Sequence, residues 1–428
     1  MGSDTQLALT ENNFYKPQII FYEKGKSLKD TIVRVKIELK TTMRRDHNSP
    51  VEEAKNDERL HLWLPINAQA IFCATDACTE IRVTAEDKTV VVARSMEFMI
   101  DLMSDIIVEP KDYPHTAELP KTCSRSSPAM TWNNSYKIAY LNGLDSPIAG
   151  ADGQNDAGLS VGSLLFPLFS KYQTVPKDKC GSAISNLNFA IWILGNFGTV
   201  EEVRRAWRKD SFPLVWEQPL KGNTFELHWS ITDKSGDGIV IEYSEQGPKL
   251  HENTIGVMTN SPPYDFHMLN LRNYVHLSKF AHDPLVLGET TFPATGQGSG
   301  LLGVPGDLTP PSRLVRSAAM VHFADKTKKS DEAVNLAFHI LNTVDIPRGV
   351  AASHDHEDMA DYTSWIVVKD LTNKAMYYRS YEDLTIRVIH LDKVTSGMKL
   401  KIKVGSPTIG GFVDVTGDLQ GAQAHTEL

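Results

Sequence analysis

A short stretch beginning at Cys78 constrains this chain more than any other. Thr79 to Val83 alternates polar and apolar residues, with Ile81 and Val83 on one side, as a half-buried strand does. Glu86-Asp87-Lys88 is a polar turn, and Thr89 to Ala93 is a second apolar strand. A hairpin centred near 86–87 sets position 78 beside roughly 94–96, where the sequence reads Arg94-Ser95-Met96-Glu97. Local geometry alone therefore brings a thiol next to a guanidinium and a carboxylate. A neighbouring cation favours the thiolate, the reactive form of cysteine. The plain alternative is an inert buried cysteine beside a solvated ion pair.

The remaining composition narrows the class. With 428 residues, 41% hydrophobic and 23% charged, the chain can build one large domain or two medium ones. A net charge of −9 argues against a nucleic-acid partner, which requires a basic face. Four cysteines (73, 78, 123 and 180) are too few for a disulfide framework at this length. Cys73 and Cys78 match no common zinc spacing. Three cysteines read as incidental and one as chemical. No run approaches 18 apolar residues, so no membrane-spanning helix is expected.

Residues 1–77 read differently from the rest. Lys24 to Lys40 mixes basic and apolar residues, and Asn48 to Arg59 is polar and linker-like. Leu60 to Ala77 is moderately apolar and ends Ala74-Thr75-Asp76-Ala77, like the tail of a leader, although it lies far from Met1. The segment reads as a leader or propeptide, or as an accessory piece that stays attached. If it is a leader, export or a periplasmic location follows; otherwise the compartment is cytoplasmic.

Beyond the hairpin, strands are expected at 106–108, 136–141, 159–165, 225–232 and 239–243, with 255–259 continuing that last sheet. Further strands close the chain at 363–368, 375–381 and 384–389. Residues 111–131 read as a loop. Helices are expected at 182–194, 266–280, 313–324 and 331–341, and Thr199-Val200-Glu201-Glu202 is a capping box opening another. Hairpin-connected strands with blocks of helix between them argue for an α+β fold.

Several separated motifs resemble the choloylglycine hydrolase family, the bile salt hydrolases and penicillin V acylases of the N-terminal-nucleophile hydrolase superfamily. They are Cys78-Thr79 with Arg94-Ser95-Met96-Glu97-Phe98, then Asn155-Asp156-Ala157-Gly158-Leu159 and Leu227-His228-Trp229. Gly256-Val257-Met258-Thr259-Asn260-Ser261-Pro262 and the run from Gly296 to Asp307 into Ser312-Arg313 complete the set. The resemblance spans about residues 78 to 400. It implies a four-layer αββα sandwich over 78–428, a homotetramer, no cofactor and no metal.

It also implies a nucleophilic Cys78 whose free α-amine, exposed by scission after Ala77, serves as its own base. An α-amine titrates at about 7.7–8.0, close enough to a thiol to accept its proton. Arg94 would bias the thiol toward thiolate, and Glu97, where many members carry Asp, would hold the amine. Asn260 would donate to the developing oxyanion, and Arg313 matches the last arginine of the family's site. Leu165 stands where substrate-binding Asn or Tyr occurs in relatives, so only its backbone N–H could donate. Glu97 and Leu165 together suggest a divergent, Gram-negative-type branch.

Three other signals carry no chemistry in this reading. The glycine-rich run 296–306 lacks a phosphate-binding ending and reads as a close-packed turn. His354-Asp355-His356-Glu357-Asp358 reads as a solvated loop, and Asn133-Asn134-Ser135 is a formal glycosylation sequon. The expected activity is hydrolysis of a non-peptide C–N amide bond in a small N-acyl substrate, of the conjugated bile acid, penicillin V or acyl-homoserine lactone type. The alternative is a non-catalytic lipid- or sterol-binding homologue that keeps its leader.

Overall fold

Two antiparallel sheets stack face to face, and each is covered on its outer side by helices. The computed structural model describes residues 77–209, 211–353 and 356–404, together with the backbone of three strands earlier in the chain (Gln18–Tyr22, Val33–Glu38 and Trp63–Ile66). Those three pair antiparallel in a separate unit, Met1–Cys73; the unit Ala74–Leu428 carries the rest.

The first sheet runs from Gly247–Glu252 through Gly238–Ser244, Leu227–Asp233, Leu159–Leu165, Ser146–Asn155, Ile138–Gly143 and Asp105–Glu109 to Leu400–Lys403. The second runs Val257–Met258, Cys78–Thr84, Val90–Phe98, His356–Asp370, Ala375–Ser380, Arg387–His390, with Ala351–Ser353 pairing onto His356–Asp370. Apolar residues of both sheets interdigitate between them, among them Cys78, Met96, Leu141, Leu164 and Trp365. Helix Phe189–Asn196 packs on the first sheet through Ile191 and Leu194. Helices Pro310–Phe323 and Ser330–Leu341 cover the second through Leu314, Ala337 and Leu341. The result is the expected α+β fold with αββα layers.

The hairpin forms in the expected register, with Cys78 opposite Met96 and Glu80 opposite Arg94. Several local features fix the fold around it. Asn155 accepts from the N–H groups of Ala157 and Leu159 and donates to Leu194 O and Phe197 O, tying a tight turn to the helix behind it. Gly158 in that turn has φ +93°, and a Cβ there would meet Leu371 O at 2.7 Å. In the 296–306 run, a Cβ on Gly300 would fall 2.0 Å from Phe280 O, so the run is a close-packed turn as read. Thr199 Oγ1 accepts from Glu202 N, and Glu202 returns the bond to Gly198 N rather than to Thr199 itself.

Five expectations are corrected. Residues 257–258 do not continue the sheet of 239–243: they pair with Glu80 and Ile81 in the other sheet. The switch occurs at Gly256, with φ +65°, whose carbonyl accepts from Arg82 N. Helix 182–194 starts only at Phe189, because Ala183–Ser185 pairs in parallel with Leu214–Trp216. The helix expected over 266–280 is Tyr264–Asn270 followed by a short 3₁₀ turn, Leu271–Tyr274. Cys123 and Cys180, read as incidental, form a disulfide that closes a 57-residue separation, and the loop 111–131 carries short strands Pro114–Thr116 and Thr131–Asn133. Cys73, His354 and Asp355 lie outside the described residues. No described helix is long and apolar enough to cross a membrane.

Candidate active site

Cys78 sits at the start of its strand, fully buried, at the end of the intersheet core. Its sulfur lies 3.3 Å from Arg94 Nη2 and 3.7 Å from Met96 Sδ. Arg94 comes from the facing strand of the hairpin. Its guanidinium also donates to Ala151 O and Ser163 O of the first sheet, so it bridges the two sheets at the sulfur. Burial pushes the Cys78 thiol up, against the pull of Arg94, and the net direction is upward. Arg94 pulls the thiol toward thiolate as expected, but removal from water outweighs that pull and the smaller one of Arg313.

The backbone of Cys78 is gripped as closely as its side chain. Its N–H donates to Asn260 Oδ1 at 2.6 Å. Its carbonyl accepts from Arg313 Nη1 at 2.5 Å, and the same nitrogen reaches Thr79 Oγ1 at 2.7 Å. Arg313 Nη2 donates to Asn260 Oδ1 at 2.9 Å, which joins the two residues across 53 positions of sequence. The fork of donors on one planar guanidinium makes this three-way arrangement feasible. Asn260 spends one N–H of its Nδ2 on Leu165 O, 2.9 Å away.

Glu97 lies on the same strand as Arg94, fully buried, and its Oε1 accepts from Thr363 Oγ1 at 2.9 Å. Burial lifts its carboxyl to about 7, partly offset by the charge of Arg313. It makes no hydrogen bond to the Cys78 nitrogen, which Asn260 takes instead. Arg316, one turn beyond Arg313, bonds Thr343 O, Pro305 O and Asp307 O and is structural. The five residues Cys78, Arg94, Glu97, Asn260 and Arg313 therefore converge in one region. Leu165 meets it through its backbone carbonyl and lines an apolar pocket with Arg94, Met96, Phe98, Leu144 and Phe225.

Residues 78–400 match the linear amide C–N hydrolases of the choloylglycine hydrolase family. The chain belongs to the choloylglycine hydrolase family. It is 32% identical over 320 residues to the bile salt hydrolase/transferase of Clostridium perfringens, covering 74% of this chain and 93% of that one. It is 26% identical to the penicillin V acylase of Pectobacterium atrosepticum, covering 74% and 81%. The structure of a mutant conjugated bile acid hydrolase from Clostridium perfringens superposes with a TM-score of 0.68 at 29% identity, covering 79% of this chain and all of that one. As a choloylglycine hydrolase family member the chain is a linear amide hydrolase. These matches do not place it in the branch suggested by Glu97 and Leu165.

Some of the surroundings of this family site carry no signal in the sequence. Asp152 of the first sheet lies 3.6 Å from Arg94, and Lys369 of the second lies 2.6 Å from Asp152 and 3.6 Å from Glu80. All four charges are buried, and burial pushes Glu80 up against the pull of Lys369. Ser163 donates to Gly150 O. Among the described residues, no group of His, Cys, Asp and Glu could hold a metal ion.

Proposed function

We propose that the active enzyme begins at Cys78 and hydrolyses the amide bond of an N-acyl substrate through a cysteinyl thioester. The observation that carries this is the pairing of Cys78 Sγ with Arg94 at 3.3 Å while the Cys78 nitrogen meets Asn260 at 2.6 Å. Both atoms needed for self-activated attack, the sulfur and the future amine, are held in fixed positions. After scission, the amine takes the thiol proton and the sulfur attacks the amide carbon. The second N–H of Asn260 Nδ2 then faces the oxyanion. Collapse breaks the C–N bond, the leaving amine takes the proton, and water hydrolyses the thioester. Arg94 steadies the sulfur once it is ionised, and Arg313 orients Asn260 and the Cys78 backbone; Asn260 Oδ1, not Glu97, holds the nitrogen that becomes the amine.

The acyl side of the substrate enters the pocket beside Arg94 and Met96. Its lining is almost wholly apolar, with Phe98, Leu102, Leu144, Leu165, Leu220 and Phe225. Of its polar groups, Ser163 Oγ donates to Gly150 O, and the two terminal nitrogens of Arg94 are taken by the sulfur and two carbonyls. This supports a bulky apolar acyl group, of the steroid, aryloxyacetyl or fatty acyl kind. Two further readings have support on the molecule. The Cys123–Cys180 disulfide favours an oxidising compartment and hence a leader before Cys78. The exposed hairpin Leu285–Leu287/Thr290–Phe292, with Val275 and Phe280 also exposed, offers an apolar arm for a homotetramer.

The test is intact-mass measurement of active protein, together with side-by-side assays of conjugated bile acids, penicillin V and acyl-homoserine lactones. A mature N-terminus at Cys78 with turnover of one of these classes is expected. Full activity in a chain still carrying residues 1–77 would refute the proposal.

A further inference from the structure

The Leu227-His228-Trp229 motif has no part in the chemistry above, yet His228 lies behind the strand end that carries Asn260. His228 Nε2 is 3.0 Å from Thr259 O, and His267 Nε2 is 2.8 Å from Asn260 O. Both rings are fully buried. A carbonyl oxygen only accepts, so each ring donates from Nε2. These two carbonyls belong to the peptide planes on either side of the Asn260 α-carbon. Fixing both planes fixes the direction in which the Asn260 side chain leaves the backbone.

Each donor is itself held. His228 Nδ1 faces Glu242 Oε1 at 3.2 Å, and Glu242 Oε2 meets His251 Nε2 at 3.1 Å. His251 Nδ1 continues to Asp265 Oδ1 at 3.1 Å. Glu242 Oε1 also accepts from Tyr264 N, the first residue of the helix that carries His267. One carboxylate thus ties both histidine supports together. Burial would raise that carboxyl, but the donors around it hold it at about 2. The Phe166 ring stacks on His228 at 4.5 Å, next to Leu165, whose carbonyl takes Asn260 Nδ2. His267 Nδ1 has no hydrogen-bond partner, and burial pushes the ring down to about 4, so it is neutral with its proton on Nε2.

We propose that His228 and His267 are positioning residues for amide hydrolysis, clamping the two peptide planes around Asn260 so that its side chain stays aimed at Cys78 and the substrate carbonyl. Glu242 and His251 hold His228 in register. The inference rests on the oxyanion role proposed for Asn260. A displacement of about 1 Å at a reacting group costs about a hundredfold, so loss of a clamp should appear in kcat.

The experiment exploits side-chain reach. A glutamine amide falls where His Nε2 lies, whereas an asparagine amide falls near Nδ1. Both are polar and close in size. Mature enzyme, checked by mass to start at Cys78, is compared as wild type, His228→Gln, His228→Asn, His267→Gln and His267→Asn. The measurements are kcat and KM on an amide substrate that the wild type hydrolyses, and the rate of Cys78 alkylation by iodoacetamide, which needs no oxyanion donor. The glutamine variants should keep kcat within about threefold. The asparagine variants should lose about ten- to a hundredfold in kcat, with KM and alkylation nearly unchanged. Equal kcat in each Gln/Asn pair, whether both high or both low, overturns the inference. So does an alkylation rate that falls in step with kcat, because the histidines would then support the whole site and not Asn260. Failure of the wild type to hydrolyse any amide would instead sink the proposed function, so the two failures are distinguishable.

Discussion

Replacing Lys369 by methionine tests whether the buried charge cluster behind Cys78 is balanced. Lys369 and Arg94 face Asp152 and Glu80, two cations against two anions, all removed from water. Methionine fills the space of the lysine stem but leaves Asp152 and Glu80 with only Arg94, whose guanidinium is already shared with the sulfur and two carbonyls. Breaking a buried pair by removing one partner costs about 3–5 kcal/mol, because a charge is left uncompensated. Unfolding about 330 residues at about 2.1 cal/mol/K each gives an entropy near 0.7 kcal/mol/K, so Tm should fall by about 4–7 °C. The deficit should depend on pH with a definite sign. Glu80 already lies above its ordinary range because of burial. Without Lys369 its folded value rises further above the unfolded one, so stability is lost as pH rises through that value and regained as pH falls. Calorimetry at pH 5 and pH 8 on wild type, Lys369→Met and Lys369→Met/Glu80→Gln provides the check. The single variant should be worse at pH 8 than at pH 5, and the double variant should recover part of the loss at pH 8. A loss below about 1 kcal/mol at both pH values would show that the cluster is not held by balance of charge.

Two other expectations follow from the same geometry. The Glu97 carboxyl is lifted from 4.5 to about 7 by burial, so its contribution to stability is present below about pH 4.5 and lost as pH rises through 7. Relative to Glu97→Gln, wild type should lose roughly 3 kcal/mol between pH 4.5 and 8 in denaturant titrations, and parallel stability curves would show the carboxyl to be better solvated than its burial implies. The Cys123–Cys180 disulfide closes a 57-residue separation, so Cys123→Ser/Cys180→Ser should lower stability by up to about 4 kcal/mol while leaving Cys78 as the residue whose alkylation tracks activity; an unchanged denaturation midpoint would contradict this.

What the sequence made legible was local or carried by motif. The hairpin is the clearest case: a period-two strand, a polar turn and a second strand set Cys78 opposite Met96 and near Arg94 without help from the rest of the chain. Asn260 and Arg313 were found only through motifs, since nothing in strand or helix periodicity brings residues 53 apart onto one oxygen. Asp152 and Lys369 were missed because they arrive from the facing sheet and from a late strand, and a lone charge in an apolar strand does not name its partner. The cysteine pair 123/180 was missed for the same reason, as spacing alone does not fix connectivity. The net state of the thiol was hidden for a different reason. The sequence showed the cation beside Cys78 but not the depth of its burial, and burial is the larger influence on the thiol. The sheet switch at 257–258 turned on one backbone conformation at Gly256, which apolar patterning cannot report.

The contacts around Cys78 fall mostly on its backbone. Asn260 takes its N–H, Arg313 takes its carbonyl, and the preceding carbonyl of Ala77 accepts from Glu97 N at 3.0 Å. The sulfur itself has Arg94 and a soft contact with Met96. Were the thiol the sole reacting group, with an ordinary side-chain base, so many donors and acceptors on the residue's main chain would be idle, and a histidine or carboxylate would be expected at the sulfur. No such base touches it among the described residues. The arrangement does suit a site whose base is the main-chain nitrogen itself. In the uncut chain that nitrogen is an amide with no lone pair to give, and the buried thiol keeps its proton. Cutting after Ala77 turns the same nitrogen into an amine, still within reach of Asn260 Oδ1, and supplies the missing base without moving a side chain. On this reading, scission and the first proton transfer use one set of contacts. Under the proposed function, the uncut chain would be inactive because its base is still an amide.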